Sequence, residues 1–246
     1  MRNKFFSLLS AAILLFSAGC KKDNYEAPKS VLSGRVVFQK QAVNVRSNAV
    51  QLELWQYGYK LLGKIPVYIA QDGTFSAELF DGNYKLVRLA GGPWSNGTDS
   101  IDVKVDGATT LDVPVDPYYM VGNESFTFNK ADTTIRAIFK VSQLSSAKAI
   151  EKISLNMGLT QIVDLTNRIP ITGDDFNPPS DISQPITLTL SVNPDRYPDQ
   201  QGLNRAELRR QLSMALTKKY GYLRVGVKAA GVAERTYTPV KMITLQ

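Results

Sequence analysis

The 246-residue chain contains no histidine. Catalytic arrangements that depend on an imidazole, such as Ser-His-Asp and Cys-His, are therefore excluded, and so are histidine-bearing zinc sites. This absence removes much of hydrolase chemistry. It leaves a pair of carboxylates as the one enzymatic arrangement to weigh.

Cysteine and concentrated charge are also scarce. Cys20 is the single cysteine, so no disulfide can form within the chain, and folding must rest on the burial of apolar side chains. The chain has 29 Lys and Arg against 22 Asp and Glu, a net charge of +7. Because the positive residues are scattered along the sequence, they do not indicate a nucleic-acid partner.

No apolar run is long enough to be read as a membrane-spanning helix. A positive leader is followed by the apolar residues 5–16, and small residues then precede Cys20. This order predicts a lipoprotein signal peptide over residues 1–19, lipidation of Cys20 and a polar tether over residues 20–30. An ordinary secretory signal with an incidental cysteine is the alternative. The charged residues after Cys20 are similar to a surface-export signal, which favours an outer-membrane, cell-surface location.

Short alternating runs and turn residues dominate the chain from residue 31 onward. Residues 31–117 contain strand candidates separated by Gly-rich and Asp-Gly turns, and Asp106-Gly107 lies between two alternating runs that predict a hairpin. Residues 118–246 repeat the pattern, interrupted by a proline-rich surface excursion over 164–185 and a helix over about 204–219. The helix is expected just before the penultimate strand. The sequence therefore predicts an all-β fold with two β-sandwich domains, divided near residue 117.

Several turn motifs carry a resemblance to a known fold. They are Gly-Arg-Val at 34–36, Asp-Gly-Thr-Phe at 72–75, Phe-Asp-Gly-Asn-Tyr-Lys-Leu at 80–86 and Val-Asp-Gly-Ala-Thr-Thr-Leu-Asp-Val at 105–113. This order resembles the carboxypeptidase-regulatory-like, transthyretin-like (prealbumin-like) β-sandwich. The second half is similar to an immunoglobulin or fibronectin-III sandwich with one inserted helix.

Together with the lipobox, the two halves resemble a Bacteroidetes family of outer-membrane lipoproteins of unknown function. The resemblance implies a genomic setting near starch-utilisation-type receptors and their nutrient-binding lipoproteins. It therefore implies two kinds of partner besides the membrane itself: a polysaccharide, and such a receptor pair.

Aromatic residues provide the candidate ligand site, because the C–H face of a sugar stacks on Trp or Tyr. Trp94 and Asn96 lie in a glycine-rich loop, and Trp55, Tyr57 and Tyr59 could form a flat platform on an outer sheet face. Packing in the core or between domains is the alternative for both groups. The tyrosines at 118 and 119 are expected at the domain junction instead.

Acidic residues give a weaker signal. Asp174, Asp175 and Asn177 form one group and Asp195 and Asp199 another, but neither spacing matches a known calcium loop, so solvated turns are the preferred interpretation. No metal, cofactor or catalytic residue is predicted. We expect a non-catalytic, lipid-anchored envelope protein that binds glycan or assists an uptake receptor. A purely structural scaffold is the main alternative, and a carboxylate glycosidase is the third.

Overall fold

The computed structural model describes residues 26–58, 63–97, 99–171, 175–197 and 205–246. It confirms the all-β class and the two-domain architecture. Each half has its own cluster of buried apolar side chains, one spanning Leu32 to Val115 and the other Tyr119 to Leu245.

The N-terminal half is a sandwich of two four-stranded sheets. In one sheet the order is β2-β1-β5, with β8 parallel to β1, and in the other it is β4-β3-β6-β7, all antiparallel. Alternate residues of both sheets, such as Leu32 and Leu86, are fully buried between them. The strands are β1 (Ser30–Phe38), β2 (Gln41–Ala42), β3 (Gln51–Gln56), β4 (Lys64–Tyr68), β5 (Thr74–Leu79), β6 (Gly82–Arg88), β7 (Ser100–Val105) and β8 (Ala108–Pro114).

The predicted hairpin at Asp106-Gly107 is wrong, although the turn exists. Strand β7 pairs with β6 in one sheet, whereas β8 pairs in parallel with β1 in the other. Gly107 has φ +59°, and its N–H donates to the carboxylate of Asp81 while its carbonyl accepts from Val31 N–H. The alternating pattern reports which face of each strand is buried, but it does not report which strand lies alongside.

The C-terminal half is also a sandwich. Its sheets have the orders β13-β10-β9 and β12-β11-β14-β15, and β16 also pairs with β14. The elements are β9 (Tyr119–Asn129), β10 (Thr134–Gln143), β11 (Ile150–Gly158), β12 (Asp175–Phe176), β13 (Ile186–Ser191), a 3₁₀ turn (Pro194–Arg196), α1 (Arg205–Lys218), β14 (Tyr220–Ala229), β15 (Arg235–Tyr237) and β16 (Lys241–Thr244).

Helix α1 packs on the C-terminal core through one apolar stripe. Leu208, Leu212 and Ala215 recur at helical spacing and are buried in that core, as the sequence predicted. The predicted N-cap, Asn204, lies outside the described residues. Three strands follow the helix rather than the two expected, because the chain breaks around Pro239, which has no N–H to donate to a strand ladder.

The proline-rich excursion is not wholly at the surface. Ile169 and Ile171 are buried in the C-terminal core, and Asp164 is completely buried. Strand β12, which belongs to the same segment, pairs with β11. Part of the excursion therefore lies along the edge of β11 and in the core, whereas most of residues 175–185 are exposed.

Candidate functional site

The outer side of the β4-β3-β6-β7 sheet carries the predicted aromatic platform. Leu52 and Leu54 of β3 point into the core, so Glu53, Trp55 and, just past the strand, Tyr57 point away from it. Tyr57 N–H still donates to Asn83 O at 3.2 Å, which extends the ladder by one residue. We call this surface the Trp55 face.

Strand register places lysines on both sides of Trp55. Trp55 is directly opposite Lys64 of β4 and Lys85 of β6, and Lys85 is in turn opposite Asp102 of β7. Such cross-strand partners have Cβ atoms about 4.5–5.5 Å apart. The Lys85 Nζ also lies 5.8 Å from the centre of the Tyr57 ring. The face thus combines two aromatic rings with two ammonium groups in one patch.

The acids of the Trp55 face differ in exposure. Glu53 is only 8% exposed, and its Oε2 lies 3.5 Å from Lys64 Nζ. The Asp102 side chain is 80% exposed, and its carboxylate accepts a 2.6 Å hydrogen bond from Lys85 Nζ, which raises the pKa of Lys85. Lys85 is therefore cationic at neutral pH.

The Trp55 face is open to solvent at both ends. Tyr57 is 51% exposed at one end, and Tyr68, opposite Gln51, is 49% exposed at the other. From Gln51 to Tyr57 the face is about 20 Å long, at about 3.3 Å per residue, and four strands make it about 14 Å wide. Trp55 itself is half-buried between them. Tyr59 lies outside the described residues.

Trp94 does not have the exposure that a stacking role requires. Its side chain is 2% exposed and belongs to the N-terminal core. Trp94 forms a β-bridge with Pro117, and a Cβ added to Gly92 would lie 2.6 Å from the indole. The packing alternative is therefore the one that the structure supports, and the glycine-rich loop holds the chain where it passes between the domains. The indole Nε1 has no hydrogen-bond partner among the described atoms.

Asn96 is exposed but does not join the Trp55 face. Its loop begins after Arg88, at the end of β6 distant from Tyr57. Gln56, a neighbour of the aromatic residues in sequence, points to the opposite side of the sheet, where its Nε2 lies beside Gly82. The structure thus brings Trp55 and Tyr57 together and leaves Trp94 and Asn96 apart.

The domain junction contains a polar centre that the sequence analysis missed. Arg224 of β14 is 1% exposed, and its guanidinium donates to four backbone carbonyls. Two acceptors, Val45 and Gln71, belong to the N-terminal half, at 3.0 and 2.6 Å; the other two, Val163 and Thr238, belong to the C-terminal half, at 3.2 and 2.7 Å.

Burial lowers the pKa of Arg224 to about 10, so the guanidinium stays charged at neutral pH. It lies 4.4 Å from the centre of the Tyr237 ring, which provides a cation–π contact. Leu223 and Val225 point into the C-terminal core, so alternation places Arg224 on the outer face of β14. A side chain on that face would be expected to be solvated. Only the packing of the other half against this face reveals its burial.

Further polar contacts join the two halves around Arg224. Arg46 donates two hydrogen bonds to Glu234, at 2.5 and 3.0 Å, and Gln71 pairs with the backbone of Gln161 and Val163. A cavity of about 270 Å³ lies beside these contacts, and residues of both halves line it, including Gln51, Gly92 and Glu234. Its walls are mostly small and apolar.

One of the two described aspartates of these groups serves as a structural ion partner, and the other, Asp195, is exposed. Asp175 pairs with both terminal nitrogens of Arg235, and Asn177 accepts from Lys152. Asp174 and Asp199 lie outside the described residues. Within the described ranges, no group of three or more Cys, His, Asp or Glu side chains could hold a metal ion.

Cys20 and the predicted signal peptide also lie outside the described residues. Among the residues that are described, no helix is long and apolar enough to cross a membrane.

Two family models together match most of the chain. Residues 30–116 match the N-terminal domain of DUF3823, a protein family of unknown function, and residues 119–242 match the domain of unknown function DUF3823_C. No curated protein is similar enough to match.

Solved structures of similar proteins cover the same two halves. A DUF3823 family protein from Bacteroides ovatus is 31% identical, with a TM-score of 0.72, over 89% of this chain and 100% of its own. One from Parabacteroides merdae is 32% identical, with a TM-score of 0.71, over 90% and 100%. A Bacteroides uniformis protein, named as a candidate carbohydrate binding protein, has a TM-score of 0.68 at 18% identity, over 89% and 100%, which indicates a shared fold.

Proposed function

The chain belongs to the DUF3823 family, whose function is unknown, and we propose that it is a lipid-anchored, non-catalytic envelope protein that binds glycan. The observation that carries this proposal is the pairing of half-buried Trp55 with half-exposed Tyr57 on one open sheet face. Aromatic rings held by a rigid sheet present flat apolar surface with little loss of entropy on binding. The name of the Bacteroides uniformis structure points in the same direction.

The Trp55 face also has polar groups suited to sugar hydroxyls. Lysine ammonium groups donate hydrogen bonds, and the Asp102 carboxylate and the Gln51 amide accept them. These groups lie on the same face as the rings, on β3 and on the neighbouring strands. A chain of several sugar units could therefore lie along the sheet, with its C–H faces on the rings and its hydroxyls at the rim.

The glycan proposal is tested by titrating the purified protein with a panel of polysaccharides. We expect Trp55→Ala and Tyr57→Ala each to weaken binding about tenfold or more, because truncating a central aromatic contact costs more than about 1.4 kcal/mol. Phe80→Ala is the matched control, because Phe80 is 45% exposed but lies outside the Trp55 face. Absence of binding across the whole panel would reject the proposal.

Membrane anchoring is the second part of the proposal, and it rests on the sequence around Cys20. A diacylglycerol thioether plus an amide-linked acyl chain gives more than the two signals that stable membrane retention requires. We expect Cys20→Ala to abolish incorporation of radiolabelled palmitate and to release the protein from the membrane fraction. Continued labelling of this variant would show that the lipobox assignment is wrong.

A scaffold role is the second candidate, and the fixed domain junction favours it. Arg224 binds carbonyls of both halves, so a buried polar contact joins the two sandwiches. A junction of this kind suits a spacer that positions an outer-membrane receptor and its nutrient-binding lipoprotein. Recovery of such a pair in a pull-down, with no binding to any polysaccharide, would favour the scaffold over the glycan-binding role.

A further inference from the structure

The exposed charges beside Trp55 are mostly positive. Three lysines, Lys64, Lys85 and Lys104, project from the Trp55 face, and Lys104 is opposite Asn83 next to Tyr57. The acids described on this face are Glu53 and Asp102. Because Glu53 is only 8% exposed, a ligand on the face meets mainly the lysines and one carboxylate at the edge.

The placement of the lysines fits an anion that binds next to a stacked ring. Lys64 and Lys85 are the direct cross-strand neighbours of Trp55, one on each side. The Lys64 side chain is 68% exposed and the Lys85 side chain 34%, so both can reach a ligand. A sugar stacked on the indole would therefore lie between two ammonium groups, which would pair with carboxylate or sulfate substituents on the sugar.

We propose that the Trp55 face binds an acidic polysaccharide, one whose sugars bear carboxylate or sulfate groups. This inference rests on the proposed glycan-binding function and specifies its substrate class. Stacking on Trp55 and Tyr57 provides contact area, and Lys64 and Lys85 provide the preference for charge. Asp102 opposes that preference, because its carboxylate occupies Lys85 and repels an acidic ligand.

The test uses pairs of polymers that share a backbone and differ in charge. Polygalacturonate is compared with its methyl-esterified form for carboxylates, and dextran sulfate with dextran for sulfates. In 0.1 M NaCl we expect at least one acidic polymer to bind tenfold or more tightly than its neutral partner. The difference should shrink in 1 M NaCl, where the screening length falls from about 10 Å to about 3 Å.

Substitutions assign the charge preference to the Trp55 face. We expect Lys64→Gln/Lys85→Gln to lower affinity for the acidic polymer about tenfold and to leave the neutral polymer almost unaffected. Asp102→Asn should raise affinity for the acidic polymer two- to threefold, an effect that a merely structural role would not produce. Lys130→Gln/Lys140→Gln is the matched control, because it removes the same two charges from exposed positions in the other half.

The outcomes separate this inference from the proposed function. If neutral polymers bind as tightly as acidic ones and Trp55→Ala still abolishes binding, glycan recognition stands and the preference for acidic sugars is wrong. If acidic polymers bind but Lys130→Gln/Lys140→Gln weakens their binding as much as Lys64→Gln/Lys85→Gln does, the attraction is a property of net charge, and the Trp55 face does not provide it. If no polymer of either kind binds, both proposals fail together.

Discussion

At the scale of single residues, Arg224 is the most consequential side chain of the described structure. A buried cation without a carboxylate partner is rare, because desolvation of the charge costs several kcal/mol unless hydrogen bonds replace the water. Here four carbonyls and the Tyr237 ring replace it. Because the carbonyls come from both halves, this one residue links the two sandwiches.

We expect Arg224→Met to lower the free energy of unfolding by at least about 3 kcal/mol, since four carbonyls would each lose a hydrogen bond from the guanidinium. Urea unfolding followed by fluorescence measures this change. Lys228→Met is the control in the same strand; the Lys228 side chain is 25% exposed and is paired with Glu151, so its loss should cost far less. An unchanged midpoint for Arg224→Met would show that the junction does not depend on this side chain.

At the scale of elements, strand β1 organises the N-terminal half, because it pairs with β2, β5 and β8. Gly34, in the Gly-Arg-Val motif, allows this arrangement. A Cβ at this position would lie 1.7 Å from the carbonyl oxygen of Leu111 in β8. Backbone atoms of a paired strand cannot move away from such a contact without breaking the ladder.

We therefore expect Gly34→Ala to destabilise the protein by at least about 2 kcal/mol, in the range of overpacking in a closed core. Gly122→Ala in β9 is the matched control, because a Cβ there meets nothing within 4 Å. Thermal unfolding of the two variants gives the comparison. Equal melting temperatures would mean that β8 can shift to admit the methyl group.

At the scale of the whole molecule, carboxylates that accept hydrogen bonds or form ion pairs make stability depend on pH. Burial alone would raise the pKa of Asp175, but the hydrogen bonds from Arg235 and the nearby positive charges outweigh it and hold that pKa below its ordinary value of 3.8. Hydrogen bonds from Ser30 and Gly107 lower the pKa of Asp81 in the same direction. Arg210 and Gln211 lower the pKa of Glu207 to about 2.

Lowered carboxylate pKa values mean that the unfolded chain takes up protons first as the pH falls. The contribution of these carboxylates to the free energy of unfolding is therefore complete above about pH 4.5 and is lost as the pH falls toward about 2. Urea unfolding at pH 7, 4.5 and 3 should show this decline. Asp175→Asn should have a lower free energy of unfolding than the wild type at pH 7, and this free energy should change less between pH 4.5 and 3. Asp195→Asn, which alters an exposed residue, should show the same dependence on pH as the wild type. A wild-type curve that is flat down to pH 3 would contradict the assignment.

The sequence by itself determined the fold class and the placement of Trp55 and Tyr57 on one face of the sheet. Period-two alternation identified most of the strands, since it reflects burial of one face of each strand. The same alternation put Trp55 and Tyr57 on the outer side of β3. Leu208, Leu212 and Ala215 gave the helix, because helical spacing alone brings them onto one stripe.

Only the tertiary structure decided which faces are covered. Trp94 and Arg224 both occupy positions where local pattern suggests exposure, yet one is buried in a core and the other beneath the opposite domain. The strands flanking Asp106-Gly107 likewise belong to different sheets. The physical reason is common to all three cases. Local sequence fixes the direction in which a side chain points, whereas burial and strand pairing depend on segments that arrive from distant parts of the chain.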